Sequence, residues 1–477
     1  MKPRFPIRSF VDLAKLVAIS VLLLLILYTF LLNFPLKDST DVLSRIETKK
    51  KLSNTTVEPV QHPTDISHIK FVLVGCTKTW STRRPYTESW WKPNKTRGSI
   101  FMDTPPPKEF LPWPKTSPPF KINSDATKLP VYKKLANPIE ARIFRSVLDS
   151  FNLGDNQGVR WFVMADDDTV FFIENLVEVL AKYDHTKHYY IGMHSESVIS
   201  NFLFAFDMAY GGAGYALSYS LVEQLAPLMN DCLERYPFSH TSDHLTSSCL
   251  FDLGISLTIE SGVHQIDLLG DISGMISAHP PTPIITLHHF DNIDPIFPDK
   301  NRTDAVKHLM QAARVDQSRL AQQTICYNRR KNWSISISWG YSAYIYESII
   351  PRSILKKPLE TFQPWKNGPP PLYMFNTRPV TNDPCQAPHV FFMEHVKRLK
   401  GDSLVLSTYK RRAPRRLGTC SFTGNHTADG ISRVRVFSNA SVRKQPGKIE
   451  CCNVMNMTGS SIMNIKLREC RKGEVIA

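Results

Sequence analysis

Residues Trp161-Phe162-Val163-Met164-Ala165 form an uncharged run that stops on Asp166-Asp167-Asp168. Such a run reads as a strand covered on both faces, and a strand delivering charge at its carboxyl end belongs to an α/β sheet, where ligands bind at that edge. Three adjacent carboxylates repel one another unless a cation compensates them, and oxygen ligands suit Mn²⁺ or Mg²⁺ better than zinc. The plain alternative is a solvated turn, since Asp and Thr169 are good helix caps. The apolar run before the acids, and the helical spacing of Ile173, Leu176, Val177 and Leu180 after them, favour a divalent-metal site on a strand–turn–helix element.

The rest of the chain has material for a large core. Of its 477 residues 42% are apolar, which excludes a disordered protein. Residues 16–36 carry no charge and are long enough for a membrane-spanning helix, which takes about 20 residues. A cleaved signal peptide would have a shorter apolar region. Acceptor sequons at Asn54, Asn94, Asn301, Asn332, Asn425, Asn439 and Asn456 all follow that segment. The expected topology is therefore a single-pass type II protein with a cytosolic tail (1–15), a signal anchor (16–36), a polar stem (37–66) and a lumenal body.

That body is expected to open with a buried strand at Ile69–Gly75. A basic and aromatic segment from Trp80 to Trp91 follows, then a proline-rich excursion over residues 105–119, and a helix between Asn137 and Phe151. Nine cysteines include no Cys-x-x-Cys pair, so zinc ribbons and thioredoxin-like sites have no support. Cys76, at the end of the first strand, reads as the buried free thiol, leaving eight to pair. The net charge of +15 concentrates after residue 390, where basic residues outnumber acidic ones by eleven. The run Lys410 to Arg416 reads as a solvated basic face; a nucleic-acid role conflicts with the anchor and the sequons.

Ala209-Tyr210-Gly211-Gly212-Ala213-Gly214-Tyr215 sets glycines among β-prone residues, a pattern that lets a ligand or strand approach the backbone closely. With the acidic strand end, Ser242-Asp243-His244-Leu245 and Gly262-Val263-His264, this order of motifs resembles the Fringe-related glycosyltransferases of family 31. It is most similar to a plant branch catalogued as a domain of unknown function. The resemblance covers about residues 68–300, and Trp333–Gly340 with Phe375–Pro379 resembles that branch's own C-terminal part.

The resemblance implies a GT-A fold, an α/β domain with a Rossmann-like mixed sheet, over residues 67–300. Residues 301–477 would form a basic, cysteine-containing extension. It implies a Golgi enzyme that transfers a sugar from a UDP-sugar to a glycan or glycoprotein with inversion, in a β-1,3-type linkage, using Mn²⁺. Carried onto this chain, Asp166 and Asp167 would meet the donor along with Gly211, Gly212 and Gly214. Asp168, Asp166 and His264 would hold the metal, Asp168 most directly. The base falls at Asp243 or His244, because His244 stands where relatives have a second acid. That departure keeps a second reading open, a silent relative acting as a binding protein or chaperone. His240 and His244 also have zinc-ligand spacing, but the glutamate of a zinc hydrolase is missing. A Cys232–Cys249 disulfide would tether the loop that bears Asp243.

Overall fold

The structure is a computed structural model that describes residues 20–25, 63–399, 404–420, 427–440, 450–455 and 461–474. Residues 20–25 are helical; the rest of the expected anchor, most of the stem, and Asn54, Asn425 and Asn456 lie outside the described residues. Among the described residues no helix is long and apolar enough to cross a membrane.

The first strand, β1 (Ile69–Gly75), leads into helix α1 (Trp80–Trp90), which is what the basic and aromatic segment becomes. Strands β2 (Arg97–Met102) and β3 (Phe120–Ile122) follow, with the proline-rich excursion between them. That excursion turns back onto the body, where Trp113 stacks on Trp80 with ring centroids 5.3 Å apart. Helix α2 (Pro138–Asn152) begins as its sequence dictates: Asn137 caps the amide of Ile139 and proline occupies the first turn. β4 (Trp161–Asp166) is the acidic strand, followed by a short β5 (Val170–Phe171) and helix α3 (Ile173–Leu180).

The central sheet is completed by β6 (Tyr190–Gly192), β7 (Tyr215–Ser218) and β8 (Leu257–Ile259), in the order β3-β2-β1-β4-β7-β6-β8. It is mixed: β1 runs parallel to β2 and β4, whereas β7 runs antiparallel to β4 and β6. Both faces are covered, which explains the unbroken apolar runs. Along β4, Trp161, Val163 and Ala165 enter one core and Phe162 and Met164 the other. Each such large side chain contributes about 1.5–3 kcal/mol on burial. One face carries α2 and helix α4 (Ser242–Asp252); the other carries α1 and α3.

Beside this sheet, β9 (Val263–His264) and β11 (Thr286–Leu287) join β5 in a three-stranded sheet, and β10 (Leu268–Gly270) lies between them in sequence. Past residue 300 come helix α5 (Arg302–Val315), strands β12 (Gln323–Asn328), β13 (Trp333–Ser338) and β14 (Ser342–Tyr346), and the short helix α6 (Arg352–Leu355). β15 (Phe362–Pro364) pairs with β10. Then β16 (His389–Arg398), β17 (Leu404–Arg411), β18 (Arg433–Asn439), β19 (Glu450–Val454) and β20 (Ile462–Glu469) complete an eight-stranded sheet in the order β12-β13-β14-β16-β17-β18-β20-β19. A disulfide joins its first and last strands, Cys326 to Cys452. One hydrophobic core runs from Ile69 through Leu467 without a break near residue 300.

Four disulfides form among the described residues, including Cys232–Cys249, and Cys76 is free. Its thiol is only partly buried and donates to Asp103. The basic run needs a correction. Arg411 donates to the carbonyls of Ile431 and Ala428, and Arg415 reaches the buried Glu347 at 3.1 Å, so both are structural cations rather than part of a solvated face.

Candidate functional site

β4 carries Asp166 to the carboxyl edge of the central sheet, as expected, and Asp167 and Asp168 follow it into a buried turn. Thr169 fastens that turn, its hydroxyl donating to the carbonyl of Gly212 at 2.6 Å. A second strand end meets it: β11 stops at Leu287 and His288 comes next, with Nε2 3.2 Å from Asp168 and 3.7 Å from Asp166. One donor atom from each of Asp166, Asp168 and His288 lies within 4.8 Å of the others, the geometry of a cation cradle.

The sequence pointed to His264, and the structure puts it elsewhere. Its Nδ1 faces Glu196 at 3.1 Å and its Nε2 faces His279 at 2.9 Å. It is the cross-strand neighbour of Leu287, so it sits one residue and one strand away from the residue that meets Asp168. The missed signal was the run Ile284-Ile285-Thr286-Leu287 ending on His288-His289, an apolar strand that stops on ligands just as β4 does.

Helix α1 brings a cation to the carboxylates. Arg83 Nη1 lies 3.1 Å from Asp167 and 3.3 Å from Asp168, and its Nε lies 3.5 Å from Asp291. These charges divide the three acids. Burial alone would raise Asp168, but His288 and Arg83 outweigh it and hold the carboxyl at about 2. Burial and the charge of Asp168 push Asp167 up to about 7 against the pull of Arg83. Asp166 is pushed well above the usual range by desolvation and by both neighbouring carboxylates. Burial and His289 push His288 below the ordinary imidazole value, against the pull of Asp168.

A metal fits this donor set. Both oxygens of Asp168, one of Asp167 and Nδ1 of His288 are buried without a hydrogen bond of good geometry among the described residues. Two carboxylates with an imidazole suit Mn²⁺, and the mutual repulsion of the acids is what a divalent cation relieves.

The glycine turn explains itself against this cradle. A Cβ built on Gly212 would overlap the ring of His288, and one built on Gly211 would overlap Oδ1 of Asp243. Successive α-carbons are about 3.8 Å apart, so this dipeptide forms a thin wall with the metal cradle against one residue and Asp243 against the next. Gly214 adopts φ +90°, which favours glycine, and packs against the backbone of Met164 on β4. The amide of Ala213 donates to Gln265 at 2.7 Å and holds the turn from its other side.

Asp243 stands in the first turn of α4, not in a loop. Thr241 caps that helix, accepting from the amide of His244, and the Glu140 carboxylate accepts from the amide of Ser242 at 2.8 Å. Burial pushes Asp243 up to about 7, opposed by the Gly211 amide and supported by the nearby charge of Glu140. The ring of His244 turns to Ser239 Oγ at 3.2 Å. His240 precedes the helix, so it shares no helix face with His244.

A mixed sheet with carboxylates at its carboxyl edge, a histidine completing a cation cradle and a buried acid across a glycine wall define the setting in which the family comparison falls. Residues 85–294 match the family model described as Fringe-like, so this part of the chain is similar to the Fringe-related glycosyltransferases. Residues 200–452 match the family described as protein of unknown function, DUF604, and the chain belongs to that family. No curated protein matches the chain. Among solved structures there is a slight likeness to the mannosyltransferase PcManGT from Pyrobaculum calidifontis, in complex with GDP-Man and Mn²⁺. Identity is 10% and TM-score 0.25, over 47% of this chain and 63% of that one.

Proposed function

We propose that the chain is an Mn²⁺-dependent inverting glycosyltransferase that moves a sugar from a UDP-sugar to a glycan or glycoprotein hydroxyl, forming a β-linkage of the 1,3 type. The observation that supports it best is the glycine wall: Gly212 lies against the Asp166–Asp168–His288 cradle and Gly211 against Asp243. Asp168, Asp166 and His288 would hold the ion, which when bound supplies Lewis-acid stabilisation of the departing diphosphate. Arg83 adds fixed positive charge at the same edge. Asp243, ionised, takes the proton of the acceptor hydroxyl as that oxygen attacks the anomeric carbon; the diphosphate leaves from the opposite side, which inverts the configuration. Asp243 is the better base of the two candidates because it faces the turn, whereas the ring of His244 is engaged with Ser239.

The uncharged segment 16–36 and the later sequons support placing this activity in the Golgi lumen on a type II anchor. The test is UDP binding to the purified chain with and without Mn²⁺, followed by a UDP-sugar panel. Mn²⁺-dependent binding that Asp168→Ala and His288→Ala abolish is the expected result. A chain that neither binds UDP nor turns over any donor is instead the silent relative, a binding protein or chaperone.

A further inference from the structure

His264 lines a cavity of about 460 Å³, within the range of roughly 300–1,000 Å³ typical of ligand pockets. Residues 193–196, the β9 region and the segment 374–376 wall it, so it forms where the Fringe-like part meets the extension. Its charge is lopsided. Arg352, Lys356 and Lys357 line it, and none of the three has a carboxylate partner among the described residues. Arg352 Nη1 is buried without a hydrogen bond among the described residues.

The one carboxylate in the lining, Glu196, is already used: one oxygen faces His264 Nδ1 at 3.1 Å and the other accepts from the amide of Ile266 at 2.8 Å. His279 supplies no charge either, because burial and the neighbouring His264 push it down to about 3. Between the cations the wall is apolar, with Met275 and Phe375, and the side chain of Asn376 has no partner among the described residues. Unpaired cations beside apolar surface and a free amide suit a ligand with an anionic group, a hydroxyl-bearing body and an apolar face.

The cavity also adjoins the reaction site by two routes. His264 is paired across strands with Leu287, the residue before His288. Met193, also in its lining, accepts from the amide of Tyr210, the residue before Gly211.

We propose that this cavity seats an acidic sugar, a uronic acid residue of the acceptor glycan, with its carboxylate on Arg352 and Lys357. The acceptor role rests on the transferase reading above; the ligand class rests on the cavity alone. The test is calorimetric titration of the purified full chain with trigalacturonic acid, with a neutral galactose trisaccharide, and with inorganic sulfate. The uronate is expected to bind at least tenfold more tightly than either control. Arg352→Gln and Lys357→Gln are each expected to weaken it roughly tenfold while leaving Mn²⁺-dependent UDP binding unchanged. Equal binding of the neutral trisaccharide would overturn the proposal, as would sulfate binding as well as the uronate, or uronate binding indifferent to both substitutions. Uronate binding with no UDP binding would refute the transferase reading and leave the cavity's ligand class standing.

Discussion

Gly211 and Gly212 set the spacing of the site with no side chains at all. Because each abuts a different group, their alanine variants should fail differently. Gly212→Ala is expected to displace His288 and weaken Mn²⁺-dependent UDP binding, read by titration. Gly211→Ala is expected to displace Asp243 and lower kcat while UDP binding survives; equal losses of both properties in both variants would remove the wall as a divider. Asp243→Asn should cost about 10²- to 10⁴-fold in kcat. The pH profile follows from the raised carboxyl. A base must be ionised, and Asp243 ionises only above about 7, so kcat/KM should fall about tenfold per unit below that point and level off above it. Glu140→Gln removes a charge that raises Asp243 and should move this limb to lower pH; a limb that stays put would dissociate it from Asp243. At this scale the acids and glycines were legible because their types are unusual among apolar neighbours. His288 was missed because the apolar run before it is only four residues long and shows its role only once β11 pairs with β5. Arg83 was missed because its helix carries no clean apolar stripe.

Helix α4 shows how an element delivers a residue. Its cap and its tie to Glu140 act on the turn that holds Asp243, and the Cys232–Cys249 bond fastens the other end of the helix. Thr241→Ala should cost about 1 kcal/mol in thermal or denaturant unfolding, with kcat falling more than UDP affinity. Removing the disulfide, which closes a loop with a sequence separation of 17, should cost about 3 kcal/mol by the same measurement. Elements with a capped start or a doubly buried run, such as α2, β1 and β4, were readable from local sequence. The strands of the extension were not. Trp333–Ser338 alternates serine with apolar residues, the pattern of a sheet with one wet face, yet every residue in it is buried. Covering both faces is a decision of the tertiary structure.

Across the whole molecule, the extension and the Fringe-like part share one core, and the 460 Å³ cavity forms only where they meet. The uncharged segment 16–36, the polar stretch after it and the globular part stand apart in sequence because charge and hydropathy change sharply there. No such change marks residue 300, where the seven-stranded sheet gives way to a largely antiparallel eight-stranded one in which β18 and β20 run parallel. The bond from Cys326 to Cys452 bears on how such a molecule is made. Its two ends lie 126 positions apart, and the later one sits on β19, the last strand in the sheet's order. While the chain is being synthesised, Cys326 therefore waits for a partner made 126 positions later, and cysteines made in between, such as Cys385 and Cys420, can pair with it wrongly first. A chain stopped before Cys452 should keep Cys326 as an unpaired thiol, read by thiol labelling of the truncated chain, so completion of synthesis becomes a condition for tying the two ends of this sheet together.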